Sequence, residues 1–123
     1  MYRTGYLRST AWFARRDRWF ADESARRGAV RCCICNGLGT KSSLELHHID
    51  YAGVEETPKG WVAAESHGDL VAVHPRCHEW IHRLLDRDEV LGQLMSRRSA
   101  NLQAISRLRS KVMKQLTEWT HDE

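Results

Sequence analysis

The spacing Cys32-x-x-Cys35 … His74-x-x-Cys77 constrains this 123-residue chain more than any other feature. Two pairs, each split by two residues, supply three thiolates and one imidazole, a donor set that closes a tetrahedral zinc site. Cys32, Cys33 and Cys35 are too crowded for two disulfides, and no βαβ context supports a redox reading of the Cys-x-x-Cys motif. The expectation is a structural Zn²⁺ that ties a tight turn, marked by Asn36-Gly37, to the start of a helix and stabilises a small core. Cys33 is left over, because Cys33-x-Cys35 is too tight a loop to chelate; packing is its expected role.

The stretch "HPRCHEWIH" (74–82) also carries His78 and His82. Pro75 pushes His74 out of the helix that follows, and suits the first helical position itself. On that helix Cys77 and His78 differ by about 100° in direction, so one ion cannot easily collect both. His78 and His82, four apart, share a face. With His47 from "LELHHID" (44–50) they form a three-histidine set, which leaves positions for water and a phosphate oxygen at a catalytic divalent metal. His48 is then free to act as general base, since an imidazole titrates near pH ~6.5. Successive strand residues point to opposite faces, so the strand must end, bend or bulge at His47-His48 for both to serve one site.

Around these motifs the chain reads as α+β. Ser9 or Thr10 caps a first helix with Trp12, Phe13, the Arg16 stem, Trp19 and Phe20 on its apolar side, and Gly28 stops it. "SSLELHHIDY" and "DLVAVH" read as strands, residues 52–68 as a long loop, and "PRCHEWIHRLL" as a helix. Asp86 with Glu89 suggests a cap for a further helix over Val90, Leu91, Leu94 and Met95. Leu102, Ile105, Leu108, Val112, Leu116 and Trp119 form the core-facing stripe of a last one. Three segments follow: a basic helical part (1–31) packing on the core, a zinc-bound core (32–85), and a C-terminal helical extension (86–123). No run approaches the ~20 apolar residues of a membrane span, and the N-terminus lacks the apolar core of a signal peptide, so a cytoplasmic protein is expected. Residues 1–31 hold eight arginines against three acids, a net +5 within a total of +3. That bias suits phosphate, and Arg15, Arg16, Arg18, Arg76 and Arg83 are the candidate contacts.

The run "CCIC…LELHHIDY…HGDLVAVHPRCHEWIH" resembles the zinc-containing HNH endonucleases, and "YLRSTAWFARRDRW" is similar to small phage and prophage members. The resemblance spans roughly residues 6 to 84. It implies a ββα-metal, treble-clef-like zinc core with an N-terminal helix and a C-terminal helical extension. It also implies hydrolysis of phosphodiester bonds in DNA, probed through the minor groove, in a bacterial or phage-infected cell. The family's paired motif falls on His47 as metal ligand and His48 as base, its final His-x-x-x-His on His78 and His82, and its zinc pairs on Cys32/Cys35 and His74/Cys77. Its middle Asn falls on Asp69, assigned with His48 to the catalytic set; family members more often carry Cys at the position of His74. The implied partner is double-stranded DNA with weak sequence preference, since phosphate contacts position without reading bases. The catalytic ion is Mg²⁺, Mn²⁺, Ni²⁺ or Zn²⁺. Two rival readings stand beside it: a non-catalytic, zinc-stabilised module that binds nucleic acid or a protein, and a zinc-dependent helical interaction protein working through 86–119, an extension that forms a homodimer, docks a larger complex or simply caps the core.

Overall fold

The computed structural model describes residues 2–121, and the side chains of 5–117. Among the described residues, four α-helices and three two-stranded antiparallel sheets form a mixed α+β architecture. Helix α1 (Tyr2–Leu7) leads into α2 (Thr10–Arg27), whose N-cap Ser9 accepts the Trp12 N–H at 3.1 Å. Gly28 ends α2 at φ 77°, a left-handed conformation that glycine adopts without cost. Trp12, Arg15, Trp19 and Phe20 make the buried face of α2, and Phe13 is instead exposed.

Strands β1 (Val30–Arg31) and β2 (Leu38–Gly39) flank the cysteine turn. Strand β3 (Glu45–His48) follows. Residues 52–68, expected as a loop, contain a hairpin of β4 (Val54–Thr57) and β5 (Gly60–Ala63). In sequence VEET places two glutamates in the middle of β4 and GWVA runs three apolar residues together in β5, so neither shows the apolar–polar alternation that marks a strand. Strand β6 (Leu70–Val73) then pairs antiparallel with β3, matching Glu45 to Val73, Leu46 to Ala72, His47 to Val71 and His48 to Leu70.

Helix α3 (Pro75–Arg87) starts at the proline, with His74 as an extended N-cap. It runs past Asp86; the capping residue is Asp88, whose Oδ1 accepts the Leu91 N–H at 3.1 Å. The expected helix over 90–95 is a single π-helical turn, Val90–Leu94, with Leu91 buried and Leu94 exposed. Helix α4 (Arg97–His121) completes the chain. Its buried positions are Ala100, Asn101, Ala104 and Ile105; Leu102 and Leu116 are about half exposed, and the side chain of Trp119 lies outside the described residues.

One core cluster draws on every segment: Tyr6, Trp12 and Trp19, Ile34, Leu46, Leu70, Ile81, and Ile105 from α4. The C-terminal helix is therefore part of the core and not an appendage. The β3–β6 pair lies between two helical layers, with α1 and α2 over the His48 side and α3 and α4 over the His47 side. No helix among the described residues is long and apolar enough to cross a membrane.

Gly53, at φ 92°, presses against the chain leading out of β5: a Cβ there would sit 2.2 Å from the Ala64 carbonyl oxygen. Gly53→Ala is therefore expected to lower the unfolding free energy by at least ~1–3 kcal/mol, measured by urea denaturation, while Gly28→Ala, with open space around it, costs less.

Candidate metal centres

The first centre is built where the cysteine turn meets the N-terminus of α3. Cys32 N–H donates to Gly37 O at 2.9 Å, and Asn36 N–H to Cys32 O at 3.0 Å, with Asn36 at φ 63°. This folds Cys32 and Cys35 to one side. Cys33 N–H donates to Ala72 O at 2.8 Å, which fixes the turn to β6 just before His74 and Cys77. The Sγ atoms of Cys32, Cys35 and Cys77 and a ring nitrogen of His74 lie within 4.8 Å of one another. Cys35 Sγ is 3.3 Å from His74 Nδ1. Gly37 keeps the space beside them, since a Cβ there would stand 3.1 Å from the His74 ring.

The thiols show why a cation suits this cluster. Burial raises the Cys32 thiol, but backbone N–H groups of Cys35, His74 and Ile34 outweigh it and bring the group down to about 7. Burial and the neighbouring Cys32 charge push the Cys77 thiol up. One thiolate thus forms readily and a second is opposed, until a divalent cation offsets their repulsion. The cluster can hold a structural metal such as zinc, as its spacing suggested. Cys33 lies outside it, half-buried against the core, its thiol pushed up to about 12 by burial and the Cys32 charge.

The second centre joins β3 to α3. Because side chains alternate along a strand, Glu45 and His47 share the face toward α3. His47 Nδ1 lies 3.1 Å from His78 Nε2, which lies 3.1 Å from His82 Nε2. The three ligand atoms fall within 4.8 Å of one another, and exposure is graded from buried His47 to exposed His82. With metal–nitrogen bonds of about 2.0–2.1 Å, a 3.1 Å separation subtends roughly 95–102° at a shared ion, between octahedral and tetrahedral angles.

The outer partners of these rings decide which nitrogens bear hydrogen. His78 Nδ1 is 3.0 Å from Glu45 Oε1, and His47 Nε2 meets Asn101 Oδ1 on α4. Both partners are acceptors, so both ring nitrogens donate. The other nitrogens, His47 Nδ1 and His78 Nε2, then face each other with bare lone pairs. A proton on His78 Nε2 can relieve one such contact; a cation at the centre relieves all of them. Burial, opposed in part by Asn101, and the charges of His78, His82 and Arg97 hold His47 neutral down to about pH 3, the form a metal ligand needs.

His48 does not join this set. The β3–β6 register is regular through His48↔Leu70, with no bulge at the pair, so His48 points to the opposite face. Its side chain is 2% exposed, its ring stacks on Tyr51 at 4.0 Å between centroids, and Trp12 lies 4.8 Å away. His48 Nε2 is 2.7 Å from Glu65 Oε2, which also accepts the Tyr6 hydroxyl at 2.7 Å. Although burial alone would raise it, the Glu65 carboxyl is lowered by these two donors. Glu65 is the site residue that the sequence hid: it stands in the unpatterned segment after β5, with no motif to mark it.

Asp69 is likewise apart from the triad. Its carboxylate receives both guanidinium nitrogens of Arg98, and its carbonyl accepts the Ile49 N–H at 2.8 Å, so it braces the end of β3. No contact with the three histidines supports a catalytic part for it among the described residues. Of the proposed phosphate contacts, Arg15 is buried and donates to Glu65 O at 3.2 and 3.0 Å. It stabilises the fold instead, because its guanidinium has no access to a phosphate. Arg16 is half-buried and reaches the carbonyls of Lys41 and Leu44. Arg18, Arg76 and Arg83 are exposed, Arg83 beside Glu79.

Neither a protein-family model, nor a curated protein, nor a solved structure matches this chain. The two clusters can be counted directly. Metal titration followed by native mass spectrometry is expected to give two bound Zn²⁺ per chain, and one in a His78→Ala, His82→Ala double variant. Cys35→Ser is expected to lose the ion of the first centre and with it much of the thermal stability, since metal binding there is folding free energy.

Proposed function

We propose that this protein is a metal-dependent endonuclease that hydrolyses phosphodiester bonds in DNA, on a ββα-metal core in which β3, β6 and α3 present His47, His78 and His82 to a catalytic divalent ion. The observation that carries this reading is the convergence of three imidazole ring nitrogens, open to solvent at His82 and separate from a four-ligand cluster that can hold a structural zinc. A closed structural site uses four protein ligands; a three-ligand site at a solvent-facing edge leaves room for substrate. Bound there, a divalent ion would supply charge stabilisation to a phosphoryl oxygen and to the departing oxygen.

The chain's own residues divide the remaining work. Asn101 and Glu45 hold His47 and His78 in the ligating tautomers. His48 is the proposed proton acceptor, paired with Glu65: a carboxylate on Nε2 leaves the lone pair on Nδ1 and supports the imidazolium that forms when water gives up its proton. Exposed Arg18, Arg76 and Arg83 are the groups available to phosphates, which makes binding weakly dependent on sequence.

One observation favours a second reading. His48 is buried on the face of β3 away from the three histidines, where a packed, hydrogen-bonded ring also serves as plain structure. On that reading the chain is a zinc-stabilised nucleic-acid-binding module without catalysis. Supercoiled plasmid incubated with Mg²⁺, Mn²⁺, Ni²⁺ or Zn²⁺ separates the two. Metal-dependent nicking is expected, abolished in His78→Ala and reduced about 10²–10⁴-fold in His48→Ala. Nicking unchanged in His48→Ala removes His48 from the chemistry, and binding without any nicking favours the module.

A further inference from the structure

We propose that Asn101 of α4 sets the tautomer of His47 and so selects Nδ1 as its metal-binding nitrogen, which makes the C-terminal helix a working part of the second metal centre. The inference rests on reading His47, His78 and His82 as a metal site, and not on nuclease activity.

The orientation follows from a chain of groups with fixed roles. Asn101 Nδ2 is 2.8 Å from the carbonyl oxygen of Arg97, one turn earlier in the same helix. A carbonyl only accepts, so the amide group of Asn101 faces Arg97 and its oxygen must face His47. That oxygen also only accepts, so His47 Nε2 carries the hydrogen. In a neutral imidazole the second nitrogen then holds the lone pair, and His47 Nδ1 is the atom that faces His78 Nε2 at 3.1 Å. The backbone of α4 thereby dictates, through one side chain, which edge of the ring ligates.

The position itself argues for such a role. Asn101 is 1% exposed, on a stretch of α4 whose other buried residues, Ala100, Ala104 and Ile105, are apolar. Asparagine is a poor helix former, and a buried amide is costly unless both ends are bonded. Both ends of this one are, one within the helix and one to the metal-site ring. Glu45 plays the corresponding part for His78, yet its side chain is 52% exposed and water competes for it. Asn101 is the dry, rigid partner of the two. Arg97 anchors the same turn to the strand by donating to His48 O at 2.9 Å. Outer partners of ligating histidines commonly change metal affinity by ~10–100-fold.

Long-range ¹⁵N–¹H spectra of the histidine rings in the wild-type protein, holding zinc in the cysteine cluster alone, test the first step. The Nε2–H tautomer of His47 is expected; an Nδ1–H tautomer overturns the proposal. This readout needs no variant to fold. Calorimetric titration with Co²⁺ then compares wild type, Asn101→Leu and Asn101→Asp. Asn101→Leu is expected to weaken the second site about 10–100-fold and leave the first unchanged, and Asn101→Asp, which keeps the acceptor toward His47 but gives up the N–H toward Arg97, to retain more affinity than Asn101→Leu. Equal affinity in all three overturns the role of Asn101. A wild-type protein that takes up no second ion overturns the metal-site reading itself, and the proposal with it, before any variant is compared.

Discussion

The separation of the two neighbouring histidines depends on the pleat of one four-residue strand. Adjacent residues of β3 face opposite sides, and the ladder to β6 fixes which side each takes. Glu45 and His47 are sent toward α3 and α4; Leu46 and His48 are sent toward α1 and α2. A one-residue slip would exchange the two sets and put Leu46 beside His78 and His82. The register is held beyond the strand as well, by Ile49 N–H on Asp69 O and by Arg98 across Asp69 and Asp50. Two neighbouring histidines thus enter two chemically different compartments.

The compartments differ in how they satisfy an imidazole. On the α3 side, acceptors occupy the outer edges of His47 and His78, and their inner edges converge as unprotonated nitrogen. That arrangement is repulsive until positive charge enters. On the α1–α2 side, His48 is matched by an acidic partner, and Glu65 is in turn held by Tyr6, its own carbonyl taken by Arg15. This network is self-sufficient in hydrogen bonds at His48 Nε2 and needs no ion. The first compartment invites a ligand and the second resists one. Phosphodiester hydrolysis through His48 must therefore draw its proton acceptor from the side of the strand opposite the proposed ion.

Much of the Cys/His clustering was legible because short-range spacing carries it. Cys32-x-x-Cys35, His74-x-x-Cys77 and His78-x-x-x-His82 each lie within one turn or one helix, where geometry follows from sequence separation. Pro75 correctly separated His74 from the helix and so divided the ligands between two centres. The alternation rule also raised the difficulty over His47 and His48, and the strand is regular there, so the two rings take opposite faces. What could not be read were the long-range partners. Glu65 reaches His48 across 17 residues from a segment without pattern, and Asn101 reaches His47 across 54. Arg15 looked like one of several surface arginines; only the arrival of Glu65 beside it shows that it is a buried donor. Such contacts are chosen by tertiary packing, which local periodicity does not encode.

Helix α3 shows how two centres can share one element without sharing an ion. Cys77 and His78 are neighbours, about 100° apart around the helix axis, so the residue that closes the first cluster sets the rotation at which His78 and His82 meet β3. An ion held in the cysteine cluster would fix that rotation near the helix start. Asn101 then fixes the ring that faces it from the strand, and Ile81, fully buried between the two faces, holds the helix against the sheet. The second centre is consequently assembled from parts positioned by three separate devices: the first metal cluster, the β3–β6 register and the opening turn of α4. Disturbing any one of them moves a different member of the histidine cluster, and through Asn101 the C-terminal helix is tied to that cluster as directly as the strand and α3 are.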